Sequence, residues 1–353
     1  MDEINDNKKS SIWNIAFALV ISLFALLSIF YLEPQVPQEV SVPSTIEEAQ
    51  VRYPWKIQQG EILRYRYSEH VSWEASGADS YRVSNNVEMY IALEGQDVEG
   101  EELIIDFTYE RIKGHFELPS GGALDFDSAV KSNIETDNPV VRFFEVLVGS
   151  KIAVRMTSAG EIKEFRGYED VMDGFNANYF SPTVARISIG PLIDAFGEAS
   201  IRMLFSSFTK ILPPPGVMSD TWEGRISQPQ AFVGSLDYPV RFSLSETKLA
   251  SAETALSIGM ISDAGSLSEN VDQGGGIVAG VMRRGSRLLE SSLGGSFTFS
   301  VDKGHLLQGD ISSSVNALIG AGSSLDVRNT GVEDEIRLSI GTTRSLQIIR
   351  DGE

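Results

Sequence analysis

EILRYRYSEHVSW, residues Glu61 to Trp73, sets Leu63, Tyr65, Tyr67, Val71 and Trp73 on one face of an extended chain, and polar residues dominate the other. A period of two is the signature of a half-buried strand. The same pattern returns in Val87, Met89, Ile91 and Leu93, in Leu103, Ile105, Phe107 and Tyr109, and in Ile152, Val154 and Met156. It continues in Val240, Phe242 and Leu244, in Leu256, Ile258 and Met260, in Phe297, Phe299 and Val301, and in Ile336, Leu338 and Ile340. Alternation of this kind belongs to antiparallel sheets with one covered face. Short turn signals such as Glu94-Gly95-Gln96-Asp97 and Asp302-Lys303-Gly304 join them. The expected fold is therefore mainly β with some α: antiparallel curved sheets or a half-barrel, with a few covering helices.

The best helical stripe is Leu192, Phe196, Ala199, Met203 and Ile211, with Phe208 beside it, and it stops at Pro213-Pro214-Pro215-Gly216. Leu192, Phe196, Met203 and Phe208 are the candidate lining of a groove for an apolar ligand, set against the plainer role of core. Pro139 to Val148 suits a helix or a buried strand, and Tyr168 to Tyr179 a short helix. Ser262 to Ser296 is rich in Gly and Ser and reads mainly as a loop, with a short helix at 277–289. Two stretches, Met156 to Gly167 and Ser300 to Gly309, share a strand–Gly turn–strand layout that hints at related halves.

Upstream of this body, Ile12 to Leu32 carries no charge. At ~1.5 Å per residue it matches the ~30 Å apolar core of a bilayer, and Trp13 and Tyr31 fall at its two interfaces. The run is longer than the apolar part of a cleavable signal, and SIFYLEP offers no small-x-small site, so a retained anchor is expected. Lys8 and Lys9 precede it and no Lys or Arg follows until Arg52, which puts residues 1–11 in the cytoplasm and the rest outside it. Prolines at 34, 37, 43 and 54 mark residues 33–54 as a linker. The body then divides at the proline run into halves 55–212 and 213–353.

The chain holds no cysteine and has a net charge of -20. Disulfides and thiol chemistry are excluded, and nucleic acid is repelled. Three histidines, His70, His115 and His305, form no H-x-x-H or H-E-x-x-H, so no metal or other cofactor is expected. Ser128-Ala129-Val130-Lys131 matches S-x-x-K without a K-T-G, and Gly274 to Ala279 matches a relaxed glycine fingerprint without a preceding strand. Asp125 and Asp127, on one side of an extended LDFDS, are the one plausible carboxylate pair for a hydrolase. Glu269, Asn270 and Asp272 are read as turn residues.

TYERIKG (Thr108 to Gly114), LDFDS (Leu124 to Ser128), VLVGSKIAVRMTSAGEIKEFRG (Val146 to Gly167), LPPPGVMSDTW (Leu212 to Trp222) and GSFTFSVDKGHL (Gly295 to Leu306) resemble, in this order, a bacterial family of exported β-rich proteins of unknown function. The resemblance covers most of the chain from Trp55 onward. It implies export and no particular activity. A looser likeness, of architecture alone, is to half-barrel lipoprotein carriers. The expected function is that of a non-catalytic binding or scaffolding protein, held in the bacterial inner membrane by residues 12–32. Its partner is an apolar ligand or another envelope protein; the alternative is an envelope hydrolase.

Overall fold

The structure is a computed structural model that describes residues 51–76, 80–99, 102–117, 122–130, 144–171, 173, 202, 206–230, 234–249, 251–262, 266–267, 287–319 and 336–349. The expected anchor at 12–32 with Trp13 and Tyr31, the stripe residues Leu192, Phe196 and Met203, and the acidic cluster Glu269 to Asp272 lie outside these residues. Among the described residues no helix is long and apolar enough to cross a membrane.

Thirteen strands follow in chain order: β1 (Ile62–Ser76), β2 (Ser80–Glu99), β3 (Glu102–Glu117), β4 (Ala123–Asp127), β5 (Lys151–Thr157), β6 (Ile162–Arg166), β7 (Thr221–Gln230), β8 (Gly234–Lys248), β9 (Thr254–Ser262), β10 (Ser266–Leu267), β11 (Arg287–Ser300), β12 (His305–Ile319) and β13 (Ile336–Ile348). They form one antiparallel sheet in which β8, β9, β11, β12, β13, β1, β2, β3, β5 and β6 lie side by side. Short β4 shares the flank of β3 with β5, while β7 and β10 lie against β8. Strands from both sides of the proline run thus join one sheet, because β13 returns to pair with β1 over twelve residues.

The alternating residues read from the sequence form the covered face. Tyr67, Ile105, Phe107, Tyr109, Ile152, Val154, Leu256, Ile258 and Phe299 are nearly inaccessible, and the buried apolar side chains make one continuous core. Burying side chains of this size is worth roughly 1.5–3 kcal/mol each, and that term drives the sheet to close over its own apolar face.

The sheet curves enough to bring distant hairpins together. Trp55 N donates to Ser158 O in the β5–β6 turn at 2.7 Å, and Lys56 N donates to Gly304 O in the β11–β12 turn at 2.7 Å. Four strands, β13, β1, β2 and β3, separate those hairpins in the sheet order. A strap, residues 52–57, spans the gap: Arg52 pairs with Asp220 at 3.1 Å, Tyr53 Oη bonds Glu246 at 3.3 Å, and Trp55 meets Phe299 edge to face at 5.4 Å. The last residues of the expected linker are therefore seated on the body. A helical turn at 206–209 closes the same end, where Thr209 accepts from Trp55 Nε1 and donates to Gly160 O.

Two expectations change. Much of the segment read as a loop, Ser262 to Ser296, is strand: Ser266–Leu267 form β10, and β11 starts at Arg287, so the end of the expected helix at 277–289 is extended. Its small residues misled the reading because β11 lies between β9 and β12. A Cβ on Gly295 would meet Asp310 O at 2.8 Å and Met260 Cε at 3.0 Å, so glycine there permits close neighbours rather than a loop. Of Pro139 to Val148, residues 144–147 form a helical turn and Val148 bridges Tyr109. Of Tyr168 to Tyr179, residues 168–171 are helical.

Candidate functional site

Midway along the strands, the sheet register lines up three parallel rows of residues across seven strands. The middle row is Gly295, Ile311, Arg344, Glu69, Val87, Gly114 and Phe126, each opposite the next. These side chains turn to the core, and all but the glycines are buried. On either side run two outward rows. One is Ser296, Asp310, Ser345, Ser68, Glu88, Lys113 and Asp127; the other is Gly294, Ser312, Thr343, His70, Asn86, His115 and Asp125.

A groove of about 1160 Å³ is lined by all three rows and by Val130. Glu69, Val87 and Ile311 are no more than 3% exposed, so their side chains cannot form an open wall. Side chains of the two outward rows form the walls, and the backbone of the middle row forms the floor. With ~4.8 Å between strands, six steps make the groove ~29 Å long.

Its two halves differ in chemistry. Across β11, β12, β13 and β1 the walls are mainly hydroxyls, with the pair Ser292–Ser314 adjoining at 2.9 Å. Across β2, β3 and β4 they are ionic, and the charges are partnered. Lys113 Nζ donates to Glu88 at 2.8 Å, and Arg111 grips Asp127 through two bonds of 2.9 and 2.5 Å. His70 Nδ1 lies 2.7 Å from Asn86 Oδ1, and His115 Nδ1 lies 2.7 Å from Asp125 Oδ1. The Arg111 bonds hold the Asp127 carboxyl below its ordinary range. Burial works against the Glu88 charge, but bonds from Lys113 and Tyr90 hold that carboxyl low as well.

Asp125 and Asp127 thus share the outward side of β4, as the extended reading expects, yet each is committed to a different base. Ser128 has a structural part, since its Oγ accepts from Ile112 N at 3.0 Å. Phe208, the one described member of the candidate apolar groove, sits in the core on the other face, edge to face with Tyr67 at 6.3 Å and Phe297 at 6.4 Å. It borders an internal void of about 50 Å³ walled by Trp55, Tyr65, Phe107 and Leu306. Among the described residues no group of three or more His, Asp or Glu converges to hold a metal.

Under the groove floor lies an ion pair absent from the sequence reading. Arg344 Nε donates to Glu69 Oε1 at 3.1 Å, and Tyr67 Oη donates to Glu69 Oε2 at 3.0 Å. Burial pushes the Glu69 carboxyl up, and Arg344 pulls against it. The signal was present: Glu69 holds an apolar-face position between Tyr67 and Val71, where a charge needs a partner.

The hairpins and the β4 motif lie where the sequence has a known counterpart. Residues 100–258 match the model of a family of unknown function, DUF6263. The match runs from the β2–β3 turn into β9 and takes in the LDFDS, β5–β6 and proline-run motifs. No curated protein matches the chain. Among solved structures, lipovitellin, studied for its lipid–protein interactions, is similar at 13% identity and a TM-score of 0.43 over 84% of this chain. This chain spans only 26% of that one. The COG4313 outer membrane channel of Pseudomonas putida F1 has 8% identity, a TM-score of 0.16, and coverage of 84% and 98%. A DUF1329 family protein of Desulfovibrio piger ATCC 29098 has 6% identity, a TM-score of 0.13, and coverage of 82% and 87%. Scores this low assign neither fold nor function to this chain.

Proposed function

We propose that this is a non-catalytic binding or scaffolding protein of the bacterial envelope, anchored in the inner membrane by residues 12–32, with its β body outside the cytoplasm and its binding surface in the outward groove. One contrast among the described residues carries the reading: the outward groove measures about 1160 Å³, whereas the apolar void bordered by Trp55 and Phe208 measures about 50 Å³. Small-molecule sites run to ~300–1,000 Å³, and a void holding a few waters does not admit an acyl chain. An apolar ligand held inside would require the strap and residues 206–209 to leave. A hydrolase would need two free carboxyls, whereas Asp127 is locked by Arg111.

Native mass spectrometry of the full chain, released from its own membrane in mild detergent, tests this. The expected result is no lipid adduct, together with a non-lipid adduct that disappears in the double variant Ser68→Arg, Ser345→Arg. An acyl-lipid adduct that survives in the double variant would place the ligand inside and overturn the reading.

A further inference from the structure

Granted that the groove is the binding surface, we propose that it takes an extended oligosaccharide, uncharged or amine-bearing, laid across the strands. Length is the first ground. A trough ~29 Å long and two residues wide suits a chain rather than a compact molecule. Edge chemistry is the second. At this level six of the seven strands are hydrogen-bonded on both sides, and among the described residues short β4 alone is paired on one side. A peptide crossing them finds no backbone ladder to join, and strand addition is the mode by which sheets usually take peptides.

The walls are the third ground. Val130, 59% exposed, is the one apolar side chain lining the groove from outside the core, so apolar anchors of a polypeptide have no pockets to fill. Ser68, Ser296, Ser312, Thr343 and Ser345 instead offer hydroxyls that both donate and accept, as the hydroxyls of a sugar chain require. Charge then selects among sugars. Lys113 is held by Glu88, while Asp310 Oδ2 accepts a hydrogen bond from Gln308 Nε2 at 3.0 Å and has no cation partner among the described residues. Among the described residues, Asp125 has the imidazole of His115 as its one side-chain partner. In a chain of net charge -20 the groove repels acidic polymers and favours amines.

Isothermal titration of the full chain in detergent with four hexamers tests the proposal: cellohexaose, fully deacetylated chitosan hexamer, hexagalacturonate and a Gly-Ser hexapeptide. Chitosan hexamer and cellohexaose are expected to bind, and hexagalacturonate and the peptide are not. The double variant Ser68→Arg, Ser345→Arg should weaken the sugars by at least ~tenfold while still melting in one cooperative transition, the facing arginines costing only a few degrees. Peptide binding that the double variant abolishes, with no sugar binding, would leave the groove as the site and overturn the oligosaccharide. Sugar binding untouched by the variant overturns the site, and binding of none of the four overturns the proposal.

Discussion

At the scale of single residues, the sheet tolerates a full charge in its core because the partner is built in. Removing one member of a buried pair costs ~3–5 kcal/mol, since the survivor is left desolvated, whereas replacing both by apolar groups of similar volume is often neutral. Glu69→Ala is therefore expected to destabilise the body by about that amount, and Glu69→Leu with Arg344→Met by far less; urea denaturation of the parent and these two variants measures it. The sequence shows Glu69 out of place among Leu63, Tyr65, Tyr67, Val71 and Trp73. It does not show Arg344, because 275 residues separate the pair and only the register of β13 on β1 brings them together. His305 gives a second test. It is 2% exposed, neither ring nitrogen has a hydrogen-bond partner among the described residues, and burial depresses its pKa from 6.5, with Lys303 adding to the effect and Glu61 and Glu253 opposing it. Unfolding then takes up a proton below pH 6.5, so this site's contribution to stability is full above that value and falls as pH drops towards the folded-state pKa. Thermal melts from pH 7.5 to 5 should show His305→Leu losing less stability than the parent; parallel curves would refute the assignment.

The element that matters most is the strap, because it ties hairpins that the sheet order keeps apart. Trp55→Ala removes a ring packed on Phe299 and a bond to Thr209, with an expected cost of ~3–5 kcal/mol by denaturant titration. Gly160 sits at φ 85°, and a Cβ there would lie 2.6 Å from Thr209 O, so Gly160→Ala should also loosen this end. Limited proteolysis should then cut the variant sooner than the parent between residues 51 and 60. Strand faces were legible because a two-residue period survives in any single segment. The strap was not, since Arg52 and Tyr53 follow a proline-rich stretch and their partners, Asp220 just ahead of β7 and Glu246 on β8, are distant in the chain. The first part of β11 was hidden for a different reason: in SSLGGS Leu293 is the one bulky side chain, too few to show alternation, and the neighbouring strands, not its own composition, hold it extended.

For the whole molecule, the anchor and orientation lead to a topological test. Protease added to intact spheroplasts is expected to digest the body, and N-terminal sequencing of the mature protein should find residues 12–32 still attached; a mature chain starting after residue 32 would refute the anchor. Curvature was legible only as a general expectation, while the outward groove was invisible, because its rows exist only once seven strands adopt one register. That register also sets an order of events. The first strand lies between the second and the last, so the centre of the sheet stays open until residues 336–348 arrive. Contacts of such sequence separation are slow to form. Until β13 docks, β1 and β12 each present an unpaired row of backbone donors and acceptors, the kind of edge on which other chains pair.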